Sequence, residues 1–370
     1  QTSGFDDLRR HLKNYPPEIM EEQTGIDAML IREVAHLYAK TNKGIIFWGM
    51  GVSQHVHGTD NARCLISLAL MTGNVGRRGS GLHPLRGQNN VQGASDAGLI
   101  PMMYPDYQLV EKDDKKDFFE KFWNAPLDDK KGLTVVEIMD AIHENTIKGM
   151  YILGENPAMS DPDLNHAREA LQMLEHLVVQ DIFLTETATY ADVIFPASAW
   201  PEKNGTATNT NRQVQMGRKA LDAPGAAKED WWITNELGKR MGLDWSYTHP
   251  KEIYEEMSKT MPSLNNISWD RLENENSVTY PSRSPTMPGD EIVFGDKFPN
   301  ETGRGKFVPA SVTAPNEVPD DEFEMILTTG RQLEHWHTGA MTRKASNLDA
   351  IEPEATVSIS PNEILKKNMK

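Results

Sequence analysis

Between residues 134 and 197, short apolar runs alternate with helical patterns, and this alternation constrains the fold more than any other feature of the chain. MYILG at 150–154, LVVQDIF at 177–183 and ADVIFPA at 191–197 read as buried strands. A helix runs from a capping box at Thr134 and Glu137 through Ile142, a second covers about 165–175, and a short third is capped near Thr185. Strands separated by helices pair in parallel through right-handed crossovers. Ligands of such sheets collect at the carboxyl ends of the strands, which here read Gly154-Glu155-Asn156, Asp181 and Pro196 onward. The expected fold class is α/β: two doubly wound α/β/α layers with mostly parallel sheets.

The first hundred residues repeat the theme. Asp27 is a good N-cap for a helix over 27–40 whose Leu30, Ile31, Val34, Leu37 and Tyr38 form one stripe, expected to pack on a sheet. GIIFWGMG at 44–51 is a short strand ending in glycines, and a helix follows over about 59–71, stopped by Gly73-Asn74. Strand, glycine turn and helix in that order suit phosphate binding, because the first amides of a helix lack internal partners. From 74 to 108 the chain turns rich in Gly and Pro yet keeps Leu, Val, Ile, Met and Tyr. A patternless stretch of that length is functional or disordered, and its apolar content favours order and function. Within it, Arg86 stands between Pro84 and Gly87, where its planar fork suits a carboxylate or a phosphate.

Later segments are less patterned. The Thr/Asn loop 202–215 precedes a helix with Ile233, Leu237 and Met241 on one side, and 262–320 reads as a linker or insertion. FEMILTT at 323–329 is expected to be a strand, and Ser360-Pro361 with Glu363 to start a helix. The chain opens at Gln1 in an already amphipathic segment and stops soon after a new unit begins, so it reads as part of something longer.

Lys and Arg number 38 against 54 Asp and Glu, giving −16, which disfavours nucleic acid and anionic membranes as partners. No apolar run approaches the 18 or so residues of a membrane span. Cys64 is the only cysteine, so the chain holds no internal disulfide and no four-thiolate iron–sulfur cluster. It sits in an Ala/Leu helix and reads as a buried core thiol. Two H-x-H pairs, His55/His57 and His335/His337, could each offer two imidazoles to a metal, but lack further ligands nearby. They leave a metal-dependent hydrolase as an alternative of a different class, and no metal ligand is assigned. G-M-G at 49–51 resembles the opening of a nicotinamide fingerprint without its third glycine. A domain without cofactor, serving as a scaffold, is a further alternative.

GMGVSQ (49–54), SLALMTGNVGRRGSGLHPLRGQNNVQGASDAG (67–98), YPDYQ (104–108), ILGENPAMSDPD (152–163), the run from Val178 to Gln215 and TTGRQLEHWHTGAMTR (328–343) together resemble the catalytic subunits of molybdenum- or tungsten-dependent formate dehydrogenases. These belong to the bis-molybdopterin guanine dinucleotide oxidoreductases. The resemblance implies oxidation of formate to CO2. It places Arg86 on the formate carboxylate and Gln88 against the pterin, with Gly51, Val52 and Gln54 along one dinucleotide. It sets Glu155 and Asn156 at a pyrophosphate and Asp181 and Thr185 at guanine and ribose. Gly205, Thr206, Asn209 and Arg212 would close over a cofactor arm, and Arg331, His337 and Thr338 would make the contacts of a barrel-like carboxy-terminal domain. The implied domains are 1–88 and 89–320, both α/β and cofactor-binding, and 321–370, the truncated start of the third. The resemblance also implies a 4Fe-4S cluster and a metal-ligating Cys or selenocysteine upstream of these residues, leaving this piece inactive alone. It further implies electron-transfer subunits of iron–sulfur or flavin/NAD type and a cytoplasmic location, a periplasmic one staying open. An assimilatory nitrate reductase of the same superfamily is the nearer alternative.

Overall fold

The computed structural model describes residues 1–367, which divide between two compact units, each discontinuous in sequence. The first comprises Gln1–Lys130, Gly205–Gly217 and His249–Ile326; the second comprises Lys131–Asn204, Arg218–Thr248 and the segment from Leu327.

In the first unit, the strands Ile45–Trp48 and Gly81–Pro84 pair in parallel, Ile45 opposite Gly81 and Trp48 opposite Pro84. The helix Gly58–Met71 makes the crossover between them, with Ala69 fully buried. Its stop is built as expected: Gly73 takes a left-handed φ of 66°, and the buried Asn74 accepts the Gly44 amide at 3.1 Å. Asp27 caps the helix Ala28–Lys40 by accepting from Met29 and Leu30 at 2.7 and 3.2 Å. The stripe on that helix is covered only in part: Ile31 and Tyr38 are half-buried, with the Tyr38 ring against Gly44. Leu30, Val34 and Leu37 are 48, 56 and 68% exposed, so the expected packing on a sheet is corrected. Cys64 is likewise exposed rather than buried, because its helix turns Ser67 and Ala69 inward instead.

The rest of this unit is an antiparallel sheet of Gly205–Thr208, Gln213–Gly217 and Ser277–Thr279 over a core of Val214, Tyr254, Met261, Ile267, Trp269 and Leu272. Part of the stretch read as a linker is therefore structural. Its order comes from one buried side chain rather than from periodicity. Arg271, in the helix Trp269–Glu275, pairs with Glu275 and donates to the Ser282 hydroxyl at 2.9 Å and to the carbonyls of Ser284 and Met287 at 3.1 and 2.7 Å.

The second unit carries the alternating pattern. Thr134 and Glu137 form the capping box, with the Thr134 amide donating to Glu137 at 2.7 Å, and the helix Val135–His143 follows. The strands Gly149–Leu153, His176–Asp181 and Val193–Pro196 form a parallel sheet in sequence order. Ile152, Leu171, Leu177 and Val179 make its core, and Met139, Ile142 and Ala170 pack one helix against the next. The helix Asp230–Arg240 buries Ile233 and Gly238, while Met241 lies beyond its end at 81% exposure, correcting the expected stripe.

The fold is thus α/β with mostly parallel sheets, but each sheet has two or three strands and none closes into a barrel among the described residues. FEMILTT does not form a strand. A strand needs a neighbouring ladder of amides and carbonyls, and no described strand pairs with this segment, whose Phe323 instead bonds locally to Asp320. Beyond it lie the short helices Ser346–Ile351 and Pro361–Lys366.

Arg271→Ala strips five acceptors of their donor: the Glu275 carboxylate, the Ser282 hydroxyl and the carbonyls of Asn266, Ser284 and Met287. It is expected to lower stability by about 2–3 kcal/mol, read as a shift in the urea midpoint of the purified chain.

Candidate functional site

Parallel pairing places the strand ends of each unit at one edge, and most of the expected residues lie there. In the first unit the ladder continues one residue past the strands through the Leu85 amide to Trp48 at 2.7 Å, delivering Arg86 beside the Gly49-Met50-Gly51 turn. Gly51, Val52 and Gln54 occupy the short helix Met50–Ser53 and its cap. Arg86 and Gln88 are exposed. Among the described residues no hydrogen bond or ion pair occupies the Arg86 guanidinium. Its charge nonetheless reaches the Tyr107 phenol.

The Gly205–Thr208 strand is brought to the same loop, because Asn90 accepts the Thr208 amide at 2.8 Å. Gly205 and Thr206 therefore belong with Arg86 and Gln88. Asn209 and Arg212 do something else. The Asn209 side chain accepts the amides of Asn211 and Gln213 at 2.9 and 3.1 Å, shaping a turn in which Arg212 has a φ of 63°. The Arg212 guanidinium donates to the carbonyls of Tyr280, Asp290 and Glu291, and burial draws its pKa below the usual arginine value. It helps wall a cleft of about 410 Å³ shared with Phe47, Gly76–His83 and Phe294, which Arg78 and Glu291 also line as an ion pair.

In the second unit, Glu155, Asn156, Asp181 and Thr185 gather at the ends of their strands. Asn156, 5% exposed, accepts from the Thr187 amide and hydroxyl at 3.1 and 2.7 Å and donates to Glu186 at 2.8 Å. Thr185 accepts the Ala188 amide at 3.3 Å. These two build the turn, leaving Glu155 and Asp181 to face outward as the unit's polar donor-seeking groups. Burial, then the carboxylates of Asp161 and Asp181, raise the Glu155 pKa above its ordinary value. Burial raises Asp181 too, against the opposing amides of Phe183 and Ile182. Thr338 reaches the same region through a 3.2 Å contact with Ser160, and His337, at φ 51°, follows Trp336 edge to face. Arg331 lies in an exposed segment without regular structure.

The H-x-H pairs do not assemble ligands. His55 Nε2 lies 2.8 Å from the Gly51 carbonyl and His335 Nε2 2.6 Å from that of Glu352, and no group of three or more His, Cys, Asp or Glu able to hold a metal occurs among the described residues. No described helix is long and apolar enough to cross a membrane.

Sequence reasoning missed a cluster on the loop and helix that follow Arg86, made of the buried Asp96, the half-buried Gln92 and Tyr280 and the exposed Tyr107. Asp96 is 3% exposed. Gln92 and Tyr280 donate to its two oxygens at 2.6 and 2.8 Å. Asp96 and Tyr107 both stand in quoted motifs, but Tyr280 is distant in sequence and nothing local announces it.

Residues 9–240 match the family model described as Molybdopterin oxidoreductase. The chain is 43% identical over 365 residues to the F420-dependent formate dehydrogenase subunit alpha of Methanocaldococcus jannaschii, covering 98% of this chain and 54% of that one. It is 39% identical over 357 residues to the putative formate dehydrogenase YrhE of Bacillus subtilis, covering 96% of this chain and 36% of the other. It spans about half the length of the first relatives it matches. Among solved structures, acetylene hydratase from Pelobacter acetylenicus superimposes with a TM-score of 0.57 at 18% identity, covering 82% of this chain and 44% of that one, a likeness of fold.

A raised carboxyl pKa means that the ionised form costs stability above that pKa, a cost absent once pH falls below the ordinary carboxylate range. Glu155→Gln is accordingly expected to raise the melting temperature of the purified chain at neutral pH. The gain should fade to nothing in acid, as thermal denaturation across pH will show.

Proposed function

This chain belongs to the molybdopterin oxidoreductase family, and we propose that it supplies the formate-binding and much of the cofactor-binding surface of a formate dehydrogenase. The family implies a molybdopterin cofactor. The bis-guanine dinucleotide form, carrying molybdenum or tungsten, is part of the proposal.

The residues present fit such a group. A Cβ at Gly49, Gly51, Gly154 or Gly205 would meet no protein atom within 4 Å, so packing inside the protein does not require glycine there. Gly49 and Gly51 also have no left-handed φ to demand it. Bare backbone at the strand ends suits the close approach of a pyrophosphate to main-chain amides. Glu155 and Asp181, acceptors with raised pKa values, suit the donor edge of a guanine better than a phosphate, which moves Glu155 from the pyrophosphate to the base in this reading. Gln88 and Gly51, Val52 and Gln54 would line one arm with Gly205 and Thr206. Asn156, Thr185, Asn209 and Arg212 would hold the shape of the turns, and Arg331, His337 and Thr338 would add contacts from the carboxy-terminal segment.

When bound, the cofactor supplies the two-electron redox centre. The task left to this chain is to orient the substrate. Formate becomes CO2 by losing two electrons and a proton, and its one carboxylate is its only handle. The observation that carries the reading is the uncommitted guanidinium of Arg86, held at the strand ends between Pro84 and Gly87. A bidentate fork grips both carboxylate oxygens and fixes the direction of the C–H bond. One cysteine cannot ligate an iron–sulfur cluster, so on this reading the 4Fe-4S cluster and the metal's Cys or selenocysteine lie outside these 370 residues. The relatives are named alpha subunits, and electron-accepting partner subunits, at a cytoplasmic location, belong to the same proposal.

In the full-length, cofactor-loaded enzyme, Arg86→Ala is expected to raise the KM for formate about 10- to 100-fold, the worth of hydrogen bonds to a charged group, with cofactor content unchanged. An unaltered KM, or parallel loss of cofactor, would show that Arg86 does not hold the substrate.

A further inference from the structure

We infer that Asp96 and Tyr107 are positioning residues for the Arg86 anion site, holding the loop that presents the guanidinium. The inference rests on the reading of Arg86 as the formate anchor. Its basis is the geometry of the loop. Arg86 has no bond of its own, so its direction is set by how the backbone around it is fixed. One end is pinned by the Leu85 amide on Trp48 at 2.7 Å. The other end runs into the helix Val91–Asp96, which is held at its buried Asp96 carboxylate by Gln92 of the same helix and by Tyr280.

Asp96 receives Gln92 at 2.6 Å and Tyr280 at 2.8 Å, and the Gln92 amide also faces the phenol oxygens of Tyr107 and Tyr280 at 3.3 and 3.4 Å. Tyr107 joins the cluster through Gln92, whose amide donates to its phenol oxygen. No cation pairs with Asp96 among the described residues. A carboxylate this deep with only neutral donors is an expensive choice for packing, since apolar side chains would fill the space at lower cost. The loop that brings Tyr107 to it is also strained. Asp106 and Tyr107 have consecutive φ values of 62° and 58°, a left-handed region that side chains other than glycine disfavour. The Ser263 amide clamps Asp106 at 3.0 Å. Gly98 lets the helix end approach that loop, because a Cβ there would stand 2.8 Å from the Pro105 nitrogen. Strain at Tyr107 and a buried acid with no counter-cation are thus joined through Gln92, in the helix that follows the Arg86 loop. The same cluster reaches the Arg212 turn, since the Tyr280 amide donates to the Arg212 carbonyl at 3.0 Å.

The test uses the full-length, cofactor-loaded enzyme with Asp96→Asn, which keeps the shape but loses one acceptor, and Tyr107→Phe, which removes only a phenol oxygen. Both are expected to raise the KM for formate about fivefold to twentyfold, with kcat within about twofold and cofactor content unchanged. A second readout needs no turnover: formate shields Arg86 from phenylglyoxal, scored by peptide mass mapping, and both variants should need proportionally more formate for equal shielding. If Asp96→Asn fails to fold, Tyr107→Phe decides. Unchanged KM and shielding in Tyr107→Phe, or a fall in cofactor content that matches the loss of activity, overturns the positioning role. Arg86→Ala run in parallel separates the two ideas. If it loses formate affinity while Tyr107→Phe does not, only the positioning role fails; if it too is unaffected, the formate site itself is wrong.

Discussion

A parallel strand cannot return to its neighbour through a tight turn, so each connection must cross the sheet and every strand must end at the same edge. The features proposed for this chain depend on that constraint. It brings Gly49 and Arg86 together in the first unit, and Gly154, Glu155 and Asp181 together in the second. Their turns expose bare backbone where the amides and carbonyls of the ladder run out. Gly49, Gly51 and Gly205, which neither a neighbouring atom nor a left-handed φ requires, then become intelligible as room for a ligand, whereas the φ of 66° at Gly154 already calls for glycine.

Around these edges the protein divides its polar residues between two tasks. Asn156, Thr185, Asn209 and Arg212 spend their hydrogen bonds on their own turns, with distances and burial typical of structural polar groups. Arg86, Gln88, Glu155 and Asp181 are left facing outward or only half-satisfied. Residue type does not separate the two groups, since an arginine and an amide occur in each. What separates Arg212 from Arg86 is whether carbonyls of the same unit lie within reach, while Asp181 commits one oxygen to the Ile182 and Phe183 amides and leaves the other without a hydrogen bond among the described residues.

The regular part of the fold was legible because its signals are local. The Thr134–Glu137 box, the Asp27 cap and the left-handed Gly73 that stops its helix each act within about one turn of chain, and all three form. Expectations failed where a partner decides. FEMILTT has strand composition but no described strand pairs with it, and the helix 28–40 has the spacing of an apolar stripe but leaves Leu30, Val34 and Leu37 exposed. Cys64 shows the same limit, since its helix buries a different face. The ordered part of 262–320 was invisible for the opposite reason. One guanidinium, Arg271, gathers carbonyls far along the chain, and such gathering leaves no period in the sequence.

For the candidate site, the motifs by themselves determined which residues end strands and where the chain turns sharply, because glycine, proline and alternating apolar runs restrict the backbone within a few residues. They also marked Arg86 as a guanidinium with no helical reason to be there. Only the tertiary structure decided that Gln92 and Tyr280 share the buried Asp96 carboxylate, and that Arg212 is tied to carbonyls while Arg86 is not. The reason is physical: burial and hydrogen bonding belong to the space between segments, and residues 96 and 280 come within bonding distance only after the chain has folded.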